Sequence, residues 1–174
     1  ECPDTLLNSS CISVHTTEVT PIIPQEINTC ETFSINATGD LYYLCSDTCH
    51  NPRRIIARVY DLDGNLQLES VSCSISVNGS SYALLPSNEN VINNGIAWAS
   101  DEMSFPCSGT LNHIPLQLTA EVFVRGNHSL PNRSDCNLRV EFAIEDDENI
   151  IHTANSKGSS LVVFDPEPTH NYTT

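Results

Sequence analysis

Eight cysteines, Cys2, Cys11, Cys30, Cys45, Cys49, Cys73, Cys107 and Cys136, carry most of the chemical potential of this sequence. Thiolates bind zinc, act as nucleophiles or oxidise to disulfides. Zinc modules favour tight Cys-x-x-Cys pairs, and none occurs; Cys45-x3-Cys49-His50 is the only close cluster. An even count in a short chain, with several cysteines inside strand-like runs, points to disulfides made in an oxidising compartment. The close cluster then holds a local disulfide loop or the ends of two separate bridges. Connectivity stays open, no metal is expected, and eight paired cysteines leave no thiolate nucleophile.

Other catalytic arrangements are missing. The six histidines, His15, His50, His113, His128, His152 and His170, scatter among loop-like segments and read as surface residues. No Gly-x-Ser-x-Gly elbow, phosphate loop, dinucleotide glycine pattern or His-Glu-x-x-His is present. Asp61-x-Asp63-Gly64-Asn65 is superficially like a calcium loop, but it lacks the bidentate Glu and the flanking helices. A hairpin turn explains the same residues without an ion. Glu145-Asp146-Asp147-Glu148 follows a strong strand and reads as a solvated loop, with a cation site or a patch for a basic partner as the alternative. The chain is therefore expected not to be an enzyme and to need no cofactor. A secreted hydrolase with a carboxylate pair in a cleft is the remaining catalytic alternative.

Six sequons, at Asn8, Asn36, Asn78, Asn127, Asn132 and Asn171, fit N-x-Ser/Thr and predict an N-glycosylated surface. The balance of 22 Asp and Glu against 7 Lys and Arg gives a net charge of −15. Such a surface repels phosphate backbones and anionic headgroups, so nucleic acid is not an expected partner. It attracts basic proteins or divalent cations, or simply keeps a surface protein soluble. No apolar run of about 18 residues exists, so no membrane span is expected. Opening at Glu1-Cys2, the chain reads as a mature protein or trimmed ectodomain, and residues 165–174 as a short stalk.

The elements that must position these groups are strands. Val71, Cys73, Ile75 and Val77 alternate with Ser72, Ser74 and Ser76. Leu116, Leu118, Ala120, Val122 and Val124 alternate with Gln117, Thr119, Glu121 and Phe123. Leu138, Val140, Phe142 and Ile144 alternate with Arg139, Glu141, Ala143 and Glu145. Successive strand side chains face opposite ways, so each run predicts one core face and one wet face, typical of antiparallel sheets. Asp63-Gly64 and Asn78-Gly79 supply the positive φ of tight hairpins. Strands are predicted near 31–37, 41–45, 54–61, 66–77, 81–85, 116–125, 137–145 and 160–164, with a short piece around Trp98. Helix is confined to a turn within 87–103. The expected fold is an all-β antiparallel sandwich, immunoglobulin-like or jelly-roll-like, stapled by disulfides.

At this level the segment 54–77, with Val59-Tyr-Asp-Leu-Asp-Gly-Asn65, resembles immunoglobulin-like β-sandwich modules of surface proteins. The resemblance implies a sandwich and little else, because one superfold hosts many functions. Residues 30–165 form the expected sandwich domain and 166–174 a C-terminal tail. Residues 1–29, with Pro3, Pro21 and Pro24, form an extended N-terminal arm or an edge strand. A β-branched arm can add a strand to a neighbour's sheet, which makes Ile12, Val14, Val19, Ile22 and Ile23 candidate subunit contacts. Two functions follow. One is a non-enzymatic secreted or cell-surface glycoprotein working by protein contact as a structural or adhesive subunit of an extracellular filament. The other is a soluble ligand-binding module, a receptor ectodomain or secreted decoy, for a basic protein such as a cytokine.

Overall fold

The computed structural model describes residues 11–21, 26–28, 31–61, 67–92, 95–125, 133–154 and 158–164. Within them the chain is strand and turn, with no helix. Five strands, β1 (Ile12–Pro21), β3 (Glu31–Leu44), β9 (Leu111–Arg125), β5 (Gln67–Val77) and β6 (Ser80–Ala83), form one antiparallel sheet in that order. The second sheet runs β2 (Glu26–Asn28), β12 (Gly158–Phe164), β10 (Arg133–Asp146), β4 (Pro52–Asp61), β8 (Ile96–Ala99), β7 (Leu85–Pro86), with β11 (Ile151–Thr153) paired to β10. All its pairings are antiparallel except β2 with β12.

The order β1-β3-β9-β5 facing β12-β10-β4 is that of the two sheets of an immunoglobulin-type sandwich. The start of the chain serves both sheets, β1 pairing in the first and β2 in the second. One core joins them. Ile35, Leu41, Leu116 and Leu118 from the first sheet pack in the same cluster as Ile55, Val59, Phe142 and Ile144 from the second. Trp98 also lies in this core.

The structure revises four local expectations. Segments 31–37 and 41–45 are one strand. Gly39 sits in its middle, where an added Cβ would lie 2.4 Å from the His15 carbonyl oxygen and 2.8 Å from the Phe142 ring. This glycine serves close packing, not a turn. Strand β9 begins at Leu111, before Pro115, not at 116. The β5 ladder ends at the Val77–Leu116 rung, so on that flank Pro115 has no rung to break. Val71 is 51% exposed, not in the core, because the register of β5 slips between Ser70 and Ser72. A bulge reverses which phase faces in, so Leu68 on one side and Cys73, Ile75 and Val77 on the other are buried. Finally, Glu141 and Ala143 are buried, although their phase predicts a wet face. Strand β4 explains this: Ile55 to Tyr60 is buried on both faces, so the outer side of the second sheet is itself covered.

Candidate functional site

The cysteine cluster resolves into two separate bridges. Cys11 joins Cys49, and Cys45 joins Cys107. The first pins the start of β1 to the loop after β3. The second ties the end of β3 to the segment leading into β9. Both Cys45 and Cys49 are thereby spent as ligands. Cys73 departs from the expectation of full pairing: it is a free thiol, buried in the core face of β5. Burial pushes its pKa up to about 12, which keeps it protonated and unreactive. Cys2 and Cys30 lie outside the described residues, as does the side chain of Cys136.

Around the β10–β11 turn the acidic run 145–148 is not simply solvated. Glu145 accepts a hydrogen bond from Arg53 at 2.9 Å, and Asn149 accepts another from the same guanidinium. Asp147 and Glu148 contact the two ring nitrogens of His50 at 2.9 and 3.2 Å. Asp146 is buried and accepts from the backbone N–H groups of Glu148 and Ile150 and from His152. Burial alone would push its carboxyl up. The His152 hydrogen bond, those two N–H groups and the His152 charge outweigh it and hold the carboxyl below the ordinary range. Among the described residues no group of three or more His, Cys, Asp or Glu side chains is placed to hold a metal.

On the outer side of β4 and β10, Arg58 donates to Glu141 at 3.2 Å, to the Asn90 carbonyl at 3.0 Å and to the Thr153 hydroxyl at 3.2 Å. The Tyr60 hydroxyl donates to the other Glu141 oxygen at 3.2 Å. Burial first, then the Glu141 charge, raises the Tyr60 pKa. The β7–β8 loop thus folds over this face through Asn90, and Gly95 fits where a Cβ would meet the Tyr60 Cβ at 2.4 Å. These groups are satisfied and enclosed, so they fasten a loop and offer nothing to a ligand.

The outer face of the first sheet is polar. Tyr42 stacks on His113 with centroids 4.5 Å apart, and His15 meets the Tyr42 ring edge-on. His113 contacts the Asp40 carboxylate at 2.7 Å. Beside Asp40 an open cleft of about 430 Å³ runs across the sheet to the β5–β6 turn. Two sequon residues belong to this side. Asn36 accepts a hydrogen bond from Thr119, and Asn78 is exposed in the turn and lines the cleft.

One apolar surface stands out. Of the large hydrophobic side chains left exposed among the described residues, Val71, Tyr82, Leu85 and Val91 fall in sequence between β5 and the loop after β7, whereas Leu111 and Ile150 lie elsewhere. Strand β6 ends the first sheet and β7 ends the second, so the chain passes from one sheet edge to the other at Leu84, which is buried. Leu84 donates its N–H to the Cys73 carbonyl, bringing Leu85 alongside the Val71–Ser72 stretch. Leu85 is 61% and Tyr82 40% exposed. Sequence reasoning singled out none of them. Val71 belongs to the inward phase of the alternation, and only the bulge and the sheet order expose it beside Leu85.

Of the candidate subunit contacts, Ile12, Val14 and Val19 fall on β1. Ile12 and Val14 are buried in the chain's own core. Strand β1 pairs in cis with β3 through nine rungs, including Val19 opposite Ala37. The sandwich needs an inward apolar face on its edge strand, and the arm supplies it. Ile22, Ile23, Asn8, Asn127, Asn132 and Asn171 lie outside the described residues.

Fold and surface together define a disulfide-stapled, immunoglobulin-like sandwich with a polar face on its first sheet and an apolar edge at β6–β7. No family model and no curated protein matches the chain. Solved structures similar in outline include a cohesin module from a family 33 glycoside hydrolase of Clostridium perfringens. Its identity is 7% and TM-score 0.42, over 86% of this chain and 98% of that one. The full-length major pilin SpaD from Corynebacterium diphtheriae is 8% identical with a TM-score of 0.49, over 86% of this chain and 34% of that one. AvmM, which catalyses macrocyclization in alchivemycin A biosynthesis, is 12% identical with a TM-score of 0.39, over 93% of each chain. At these values none of the three bears on what this chain does.

Proposed function

We propose that this chain is a non-enzymatic, secreted or cell-surface glycoprotein module that works by protein–protein contact as a structural or adhesive subunit of an extracellular assembly. Its contact surface is the β6–β7 edge. The observation that carries this reading is the exposure of Val71, Tyr82 and Leu85 along the β5–β6–β7 edge of a chain whose net charge is −15. The two disulfides support an oxidising compartment. This mode of contact does not use strand exchange by β1, because Cys11–Cys49 ties the start of that strand to the loop after β3 and Ile12 and Val14 are buried in the core.

Sedimentation of the secreted protein with and without Leu85→Asp and Tyr82→Ser tests it. The wild type should form concentration-dependent assemblies that the variants lose while keeping their melting temperature. A wild type that stays monomeric at all concentrations, or variants that assemble unchanged, would refute it. A second reading, a binding module for a basic protein, draws on Asp101, Glu102, Asp147 and Glu148, which are all exposed. Binding of that kind weakens steeply with added salt, whereas contact through the apolar edge does not.

A further inference from the structure

The cleft on the first sheet already contains an attachment point for a ligand. We propose that Asn78 carries an N-linked glycan whose first sugars lie in this cleft, across the outer face of the first sheet. The inference rests on the secretory reading above.

Three observations converge on it. First, Asn78 and Gly79 have φ of 53° and 88° and join the Val77–Ser80 rung, the geometry of a two-residue hairpin with positive φ at both positions. This turn leaves both Asn78 and Ser80, the sequon's acceptor and its hydroxyl residue, exposed. Second, Asn78 is itself part of the cleft wall, so a chain attached there starts inside the cleft. The volume, about 430 Å³, lies in the range of small-ligand sites, roughly 300–1,000 Å³. Third, the wall suits a neutral sugar. Thr17, Thr38, Ser76 and Gln117 offer hydroxyl and amide groups that both donate and accept, and Asp40 accepts. The wall holds no cationic side chain, which disfavours an anionic ligand. Pro115 adds an apolar plane. The Tyr42–His113 stack begins one same-face step along the strands from the Asp40–Pro115 rung, about 7 Å away. Sugars present C–H faces to such rings and hydroxyls to such edges.

Attachment forms the bond between Asn78 Nδ2 and the anomeric carbon of a lipid-pyrophosphate-linked oligosaccharide. The bond from that carbon to the pyrophosphate oxygen breaks, its electron pair leaves with the lipid pyrophosphate, and Nδ2 gives up one proton. A glycan seated here, with the Asn36 sequon on the same face, covers the first sheet and leaves the β6–β7 edge open for protein contact.

The test is glycopeptide mass spectrometry of the full chain secreted from mammalian cells, scoring each sequon for occupancy and for the fraction of glycan processed beyond the high-mannose stage. A seated glycan is shielded from processing enzymes. Asn78 should be occupied and under-processed, and Asp40→Ala with Gln117→Ala should raise its processed fraction several-fold without changing that at Asn36. An empty Asn78 beside other filled sequons overturns the proposal and leaves the secretory reading standing. So does an occupied Asn78 whose processing the double substitution does not change. No filled sequon at all overturns both.

Discussion

Replacing Glu141 with Gln leaves the Arg58 guanidinium enclosed without its counter-charge. The two groups are 3.2 Å apart, and both side chains are less than a tenth exposed. At an effective dielectric near 20, that separation corresponds to about 5 kcal/mol of attraction, offset in the intact protein by the desolvation of both ions. Removing one partner keeps the desolvation and loses the attraction, which typically costs about 3–5 kcal/mol. For a domain of this size that is a fall of roughly 6–20 °C in Tm. Arg58→Met should cost a similar amount, since the enclosed Glu141 then loses the guanidinium 3.2 Å away. The double variant Arg58→Met, Glu141→Leu should recover most of the loss, because apolar groups of similar volume require no solvation. Urea unfolding at neutral pH, read by tryptophan fluorescence of the core residue Trp98, gives all three values and their coupling energy. Single variants within about 1 kcal/mol of wild type, or a double variant as weak as the sum of the singles, would refute the view that this pair is enclosed and mutually dependent.

Four further outcomes follow from the geometry. Asp146→Asn should lower stability by about 1.5–3 kcal/mol at pH 7 through lost charge-assisted hydrogen bonds. Because the Asp146 carboxyl is held below its unfolded value, its contribution is complete above the ordinary carboxylate pKa and fades as pH falls through the folded one, so an acid titration should show the variant and wild type converging. Removing Cys11–Cys49 or Cys45–Cys107, whose sequence separations are 38 and 62, should each cost about 4 kcal/mol in the loop-entropy model, measurable by denaturant titration of the Cys→Ser pairs. Cys73 should resist iodoacetamide in the native protein and react once it is unfolded, as peptide mapping would show; native labelling would mean the thiol is not enclosed. Gly39→Ala should destabilise by about 1–3 kcal/mol through overpacking against the His15 carbonyl and the Phe142 ring, seen as a lower Tm.

The all-β sandwich and an oxidised framework were legible without coordinates, because period-2 alternation and cysteine chemistry are local. Leu116, Leu118, Ala120 and Val122 point inward as their spacing predicted, since a strand flanked by two others has its faces set by the pleat alone. Val71 fails the same rule through one bulged residue, which shifts the phase without leaving a mark in the composition. Glu141 fails it because a loop far earlier in the chain supplies the Asn90 carbonyl to its partner Arg58, a contact no periodicity contains. The pairing of Cys11 with Cys49 and Cys45 with Cys107, and the solitude of Cys73, depend on which Cβ atoms the two sheets bring together. The role of Ile12 and Val14 was ambiguous for a related reason: an apolar edge strand has the same alternation whether it completes its own sheet or a neighbour's, and only the register against β3 decides. Composition and spacing therefore determined what kind of material this chain is. Which residues are left at the surface to meet another molecule was decided by the order in which distant strands lie side by side, because exposure is a property of neighbours and not of sequence.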